Sequence, residues 1–187
     1  CFPCRKRRPL TVENIEDPEF VHQRHKPPCQ LPEDCDLVLA CPQMRSNVNL
    51  SRIARVAGCA GVKKMIIEGN SKIDAKIARD AARSLELERR RTLLPSLKLA
   101  SEKGYQLVGL QQTTHSKWIF DHAFQPKTVL LIGHERLGII PEQLAILDAT
   151  VEIPVFGLPH SFNAATATSM AVYEYCRQFH SVSAAGN

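Results

Sequence analysis

Residues 153–179 read IPVFGLPHSFNAATATSMAVYEYCRQF. An apolar start at Ile153 passes into a loop constrained by Pro154, Gly157 and Pro159, and the loop opens directly into a long helix-favouring stretch. Ser161 or Asn163 is placed to cap a helix over Ser161–Phe179. A helix start also presents unpaired N–H groups to a ligand. His160 is a candidate base, although a loop histidine beside prolines serves equally as plain surface.

Upstream, short apolar runs alternate with helical ones. Strands are expected at Asp36–Cys41, Met65–Ile67, Tyr105–Leu110, Thr128–Ile132 and Val151–Ile153, each continuously apolar as in a sheet covered on both faces. Helices are expected at Asn49–Ala60 with Asn47 or Asn49 as cap, over the charged residues 72–91, at Leu94–Lys103 stopped by Gly104, and at Pro141–Leu147. The pattern predicts an α/β fold, a mostly parallel sheet with helices on both faces. Such sheets bind ligands beyond the carboxyl ends of their strands, so the loops after Leu110, Ile132 and Ile153 are where a site belongs.

The chain of 187 residues and 44% hydrophobic content is sized for one domain with a real core. Residues 1–35, rich in proline and charge, read as an extension and residues 36–187 as the folded domain. No apolar run approaches the roughly 18 residues that span a bilayer, so no membrane partner is expected. The net charge of +5 leans toward a polyanion. Arg5, Lys6, Arg7 and Arg8 form either a solvated tail or an arm for phosphates. Seven cysteines, an odd number, argue against a disulfide framework and for a reducing, cytoplasmic setting. Cys1, Cys4, Cys29 and Cys35 lack the repeated spacing of a zinc site, and no metal is expected.

The loop after Ile132 reads Gly133-His134-Glu135-Arg136-Leu137-Gly138. Its two glycines permit a tight turn and close backbone approach to a ligand, but neither the P-loop lysine nor the dinucleotide fingerprint is there. The segment Arg45–Arg55 carries Asn49, Ser51 and Arg55, with Arg52 and Arg55 one turn apart.

Read jointly, these stretches resemble the SpoU (TrmH-like) RNA ribose 2′-O-methyltransferases of the SPOUT superfamily. The first motif of that family appears as Asn49, Ser51 and Arg55, the second as Gly133, Glu135 and Gly138, and the third as Ile153-Pro154 with Ser161-Phe162-Asn163. The resemblance spans roughly residues 36–179. Ser51 stands where the family has glycine and Phe162 where it has leucine.

The resemblance implies a C-terminal deep trefoil knot, an exception to the rule against threaded connections, and S-adenosylmethionine as methyl donor. It implies a cofactor pocket of Gln111, Gly133, Ile153, Leu158 and Phe162, held largely by backbone groups. It implies catalytic roles for Asn49, Arg55, Glu135, Ser161 and Asn163. A guanidinium is a poor base, so Arg55 is expected to grip a phosphate and stabilise the developing alkoxide. Glu135 is expected to brace its loop. The implied partners are RNA, with transfer RNA ahead of ribosomal RNA, and a second copy of the chain. Arg89, Arg90 and Arg91 join Arg5–Arg8 as candidate phosphate contacts. Met170, Tyr173 and Cys176 form a strip that is either core or dimer-facing. Two rivals stand beside this reading: an inactive RNA-binding protein of the same fold and an unrelated nucleotide-binding module.

Overall fold

The computed structural model describes residues 27–180. Arg5, Lys6, Arg7, Arg8, Cys1 and Cys4 lie outside them. Residues 27–35 carry no helix or strand, yet Leu31 and Cys35 pack against the core.

The strands are β1 (Asp36–Cys41), β2 (Lys64–Glu68), β3 (Glu86–Arg90), β4 (Gln106–Leu110), β5 (Lys117–Trp118), β6 (Lys127–Ile132) and β7 (Ala149–Glu152). They form one sheet in the order β3-β2-β1-β6-β4-β7-β5, with every neighbouring pair parallel. Successive side chains of a strand point to opposite faces, so the apolar runs feed two cores. Leu37, Leu39 and Cys41 of β1 pack with Leu130 of β6 beneath α1 (Asn47–Cys59) and α6 (Ala164–Phe179). Val38, Ala40, Val129 and Leu131 pack on the other face with Leu93 and Leu97, where α4 (Leu94–Glu102) sits. Helices cover both faces, as the unbroken apolar strands require.

The charged stretch 72–91 is not one helix. It makes two single-turn helices, α2 (Ala75–Ala78) and α3 (Ala81–Ser84), and then β3. Arg79 ends α2 with φ 54° and ψ −136°, a positive-φ conformation that is costly for any residue but glycine. Leu85 and Leu87 alternate with Glu86 and Glu88, and this period of two pairs with β2. Lys64 on β2 reaches Glu86 at 3.2 Å and also Glu88, a cross-strand ladder that offsets the helix preference of glutamate and arginine. Hydrogen bonding to Glu88 is the main cause that raises the Lys64 pKa, and the same bond leads those that lower Glu88.

Two caps also differ from expectation. Ser46, not Asn47 or Asn49, caps α1, its Oγ accepting from the Asn49 N–H at 3.2 Å. Asn47 instead accepts from the Lys72 N–H at 3.0 Å. Asn163 caps α6, accepting from the Ala165 N–H at 2.9 Å, so that helix starts at Ala164 rather than Ser161. The two-residue β5 has too short a run for its alternation to be read in advance. The helix α5 stops at Leu144, its range being Pro141–Leu144.

Candidate active site

All strands being parallel, their carboxyl ends share one rim, and the three loops of interest meet there. From β6 the chain turns through Gly133–Gly138, closed by two backbone bonds between His134 and Gly138 at 3.1 and 2.9 Å. Gly138 takes φ +66°, and a Cβ there would lie 2.6 Å from the Gln111 side-chain amide. Only glycine fits this position. Gln111 at the end of β4 uses that space to accept from the Ile139 N–H, pinning the turn.

A chain of hydrogen bonds ties the turn to the other two motifs. The Arg45 N–H donates to Glu135 Oε2 at 3.0 Å, and Asn49 Nδ2 donates to Glu135 Oε1 at 3.0 Å. Asn49 Oδ1 accepts from Asn163 Nδ2 at 3.2 Å, while Asn163 Oδ1 holds the start of α6. Every amide in the series donates toward Glu135. Each orientation is therefore fixed by its neighbours. Burial pushes the Glu135 carboxyl up, but the Arg45 N–H, the Asn49 amide and nearby His134 outweigh it and hold it below the ordinary carboxylate range.

Beside this series lies a cavity of about 300 Å³ over the ends of β4, β6 and β7. Its apolar walls include Ile132, Ile153, Val155 and Phe162. Glu135 and Glu152 line it, and among the described residues no lysine or arginine does. Gln111, Gly133, Ser161 and Asn163 complete the predicted set brought together here.

Two predicted residues stand apart. Leu158 is 80% exposed and does not line the cavity. Arg55 is exposed, neither lines the cavity nor joins the hydrogen-bond series, and forms no ion pair among the described residues. Helical geometry places it about 9 Å farther along α1 than Asn49 and about 120° around it. His160 is exposed on an adjoining groove with Trp118 and Phe156. Arg89 and Arg90 close β3 and Arg91 follows it, two strands from β1. Arg89 donates to the Ser71 carbonyl at 2.7 Å and Arg90 pairs with Glu88.

Sequence reasoning missed Gln112, His134 and Glu152 as lining groups. Glu152 carried a signal, a lone carboxylate inside an apolar strand. It accepts a hydrogen bond from Ser116, which only the placement of β5 beside β7 reveals. Among the described residues no group of three or more His, Cys, Asp or Glu is arranged to hold a metal ion, and no helix is long and apolar enough to cross a membrane.

A model of the SpoU rRNA Methylase family matches residues 36–173. The mouse tRNA (guanosine(18)-2′-O)-methyltransferase is 35% identical over 86 residues, which are 46% of this chain and only 5% of that protein. The Aquifex aeolicus tRNA (guanosine(18)-2′-O)-methyltransferase is 27% identical over 147 residues, 76% of this chain and 70% of that one. Among solved structures, the A. aeolicus TrmH/SpoU tRNA modifying enzyme superposes with a TM-score of 0.73 at 25% identity, over 81% of this chain and 77% of that chain. The Streptomyces viridochromogenes SpoU methyltransferase AviRb, solved with AdoMet, gives 0.68 at 28% identity over 79% and 62%.

Proposed function

We infer the function from this premise: the chain belongs to the SpoU rRNA Methylase family, whose model covers residues 36–173. The reading is transfer of a methyl group from S-adenosylmethionine to a ribose 2′-hydroxyl of RNA. The observation that carries it is the Glu135–Asn49–Asn163 series at the lip of a cavity lined by carboxylates and, among the described residues, free of lysine and arginine.

The cavity fits this donor on its chemistry. Apolar walls at Ile153, Val155 and Phe162 suit a flat purine, and the Gly133 and Gly138 backbone approaches closely enough to serve its polar edge. A cationic sulfonium favours Glu135 and Glu152 over bare cations, whereas a triphosphate would demand lysine or arginine. That contrast is the argument against the nucleotide-binding rival. When bound, S-adenosylmethionine supplies an electrophilic methyl group whose carbon–sulfur bond breaks as the ribose oxygen bonds to carbon.

The chain's own part is positioning. Both Glu135 oxygens are engaged, so this carboxylate braces the turn. Asn49 and Asn163 hold the α1 and α6 starts against it, with Ser161 beside them on the cavity wall. Arg55, exposed and outside the cavity, suits the grip on an RNA phosphate flanking the acceptor ribose, and through it the steadying of charge on that oxygen. Orientation of this kind can supply several kcal/mol of the barrier, on the order of 7.

Transfer RNA is favoured over ribosomal RNA. Supporting this are the A. aeolicus fit of 0.73 against 0.68 for AviRb and the guanosine(18) relatives. Two copies are proposed to pair through the strip on α6, where Tyr173 is 67% exposed and Met170 38%, with sedimentation at twice the chain mass as the check. A threaded C-terminal path is proposed because the chain leaves β7 on the β4 flank and returns past Glu135 to pack α6 on α1. The cytoplasm is its proposed setting.

Incubation with methyl-labelled S-adenosylmethionine and total transfer RNA tests the reaction. Label is expected in 2′-O-methylnucleosides after digestion. Arg55→Ala should lose transfer by at least about a hundredfold while calorimetric donor affinity stays unchanged. No donor binding, or tighter binding of ATP, discards the reading; donor and RNA binding without transfer leaves the inactive rival.

A further inference from the structure

A second groove of about 400 Å³ adjoins the first across the Gly133–Gly138 turn, sharing His134 and Gly138 with it. It opens at the carboxyl ends of β1 and β2 and is bounded by α5. Its polar side chains are committed to fewer bonds than those of the first cavity. There, Glu135, Glu152, Asn163 and Gln111 are hydrogen-bonded within the protein, while Gln112 and Ser161 have no side-chain hydrogen bond among the described residues. Here, Gln43, Glu68 and Gln143 have no side-chain hydrogen bond or ion pair among the described residues. Gln143 is the telling one, because it is only 5% exposed and still unpartnered. Its amide is not among the sealed, unsatisfied buried atoms, of which His122 Nε2 alone is found, so it faces the groove. An amide that reaches the groove with no protein partner is left to solvent, and a ligand seated there can take up its hydrogen bonds.

Leu137 and Ile140 line the same groove and are 74% and 42% exposed, giving apolar surface to a flat ring. Gly69, with φ +70°, makes room for Gln43, since a Cβ there would come within 2.9 Å of the glutamine amide. Arg45 connects the two cavities: its N–H bonds Glu135 while its side chain lines the groove.

We propose that this groove seats the nucleobase of the acceptor nucleotide and selects guanine. The inference rests on the ribose methylation reading above and adds the residues that choose the substrate. Guanine presents two adjacent donors, N1–H and the N2 amino group, to which the Glu68 carboxylate is complementary as a paired acceptor. Gln143 and Gln43 donate to O6. Adenine turns a lone pair at N1 toward the same carboxylate, and uracil offers a single N–H between two carbonyls. A carboxylate therefore discriminates by repulsion as well as attraction. With the base here and the donor in the first cavity, the ribose lies over the turn that divides them.

The test uses the full chain in the presence of S-adenosylmethionine, with guanosine and adenosine 5′-monophosphates as probes in saturation-transfer NMR. The guanosine nucleotide is expected to bind several-fold more strongly. Glu68→Gln should weaken it on the order of tenfold, and Gln143→Leu should weaken it too, while calorimetric affinity for the methyl donor is unchanged in both. Equal binding of the two nucleotides, or guanosine binding indifferent to Glu68→Gln, overturns the proposal. Selective, Glu68-dependent guanosine binding without methyl transfer to any RNA would sink the reaction and leave the base site standing. Transfer with no Glu68 dependence would do the opposite.

Discussion

Glu135 joins two loops that are 90 residues apart in sequence, through the Arg45 N–H, and protonation is the direct way to undo the link. Its folded pKa is lowered, the burial that opposes ionisation being outweighed by the Arg45 and Asn49 donors and by His134. A lowered folded pKa means that this group stabilises the fold above its unfolded pKa, and that the contribution is lost as pH falls through the folded value. Glu135→Gln should therefore cost about 1 kcal/mol near neutral pH, solvent exposure keeping it at the low end. Thermal melts of the two proteins should converge below about pH 4. A gap that persisted or grew on acidification would contradict the assignment. The residues of this series were legible: Asn49, Glu135 and Asn163 stood in motif positions, and each is a side chain suited to bracing a turn. The cap of α1 was not, because Ser46, Asn47 and Asn49 can all cap and only the backbone path selects among them. Glu68 and Gln143 gave no local sign, since only the folded chain brings them to the same groove.

Elements were legible where burial enforced a period. The five long apolar runs became strands, and Gly104, at φ +81°, ended α4 as expected. The stretch 72–91 misled because glutamate and arginine favour helices locally, whereas the partner strand β2 decided the outcome. Ser51 shows the same dependence on neighbours. It stands where the resembling family has glycine. In the fold it is fully buried, donating from Oγ to the Asn47 carbonyl at 2.5 Å and accepting from the Asp74 N–H at 2.8 Å. It thus fastens the cap residue of α2 to the first turn of α1. Ser51→Gly should remove that bond and add backbone freedom within the helix, together about 2 kcal/mol. For a chain of this size the melting temperature should fall by about 5 °C. Methyl-donor affinity should fall with it, because α1 carries Asn49. A variant as stable as the parent would show the serine to be a passive filler.

At the scale of the whole molecule, parallel strands gather the positive charge as well as the cavities. Arg45, Lys72, Arg91 and Arg136 are exposed in segments that follow the carboxyl ends of β1, β2, β3 and β6. The ion pairs of the described residues lie elsewhere: Lys64 with Glu86 and Glu88, Arg90 with Glu88, and Arg177 with Glu174. A net charge of +5 says only that a polyanion is welcome, and the sequence could not say which arginines were committed to carboxylates. The structure separates the run Arg89-Arg90-Arg91 into three roles. Arg89 is tied to the Ser71 carbonyl, Arg90 to Glu88, and Arg91 is unpaired among the described residues. If RNA crosses this rim toward the two cavities, Arg91 is the phosphate contact of the three. Binding of transfer RNA should weaken steeply with salt, and Arg91→Ala should reduce the slope of log K against log salt by about 0.7 to 0.9, the share of a single neutralised phosphate. Arg90→Ala should leave the slope unchanged, its charge being already engaged on the sheet. Filter binding across a salt series reads both, and identical slopes for Arg91→Ala and the parent would move the RNA path off the β3 edge.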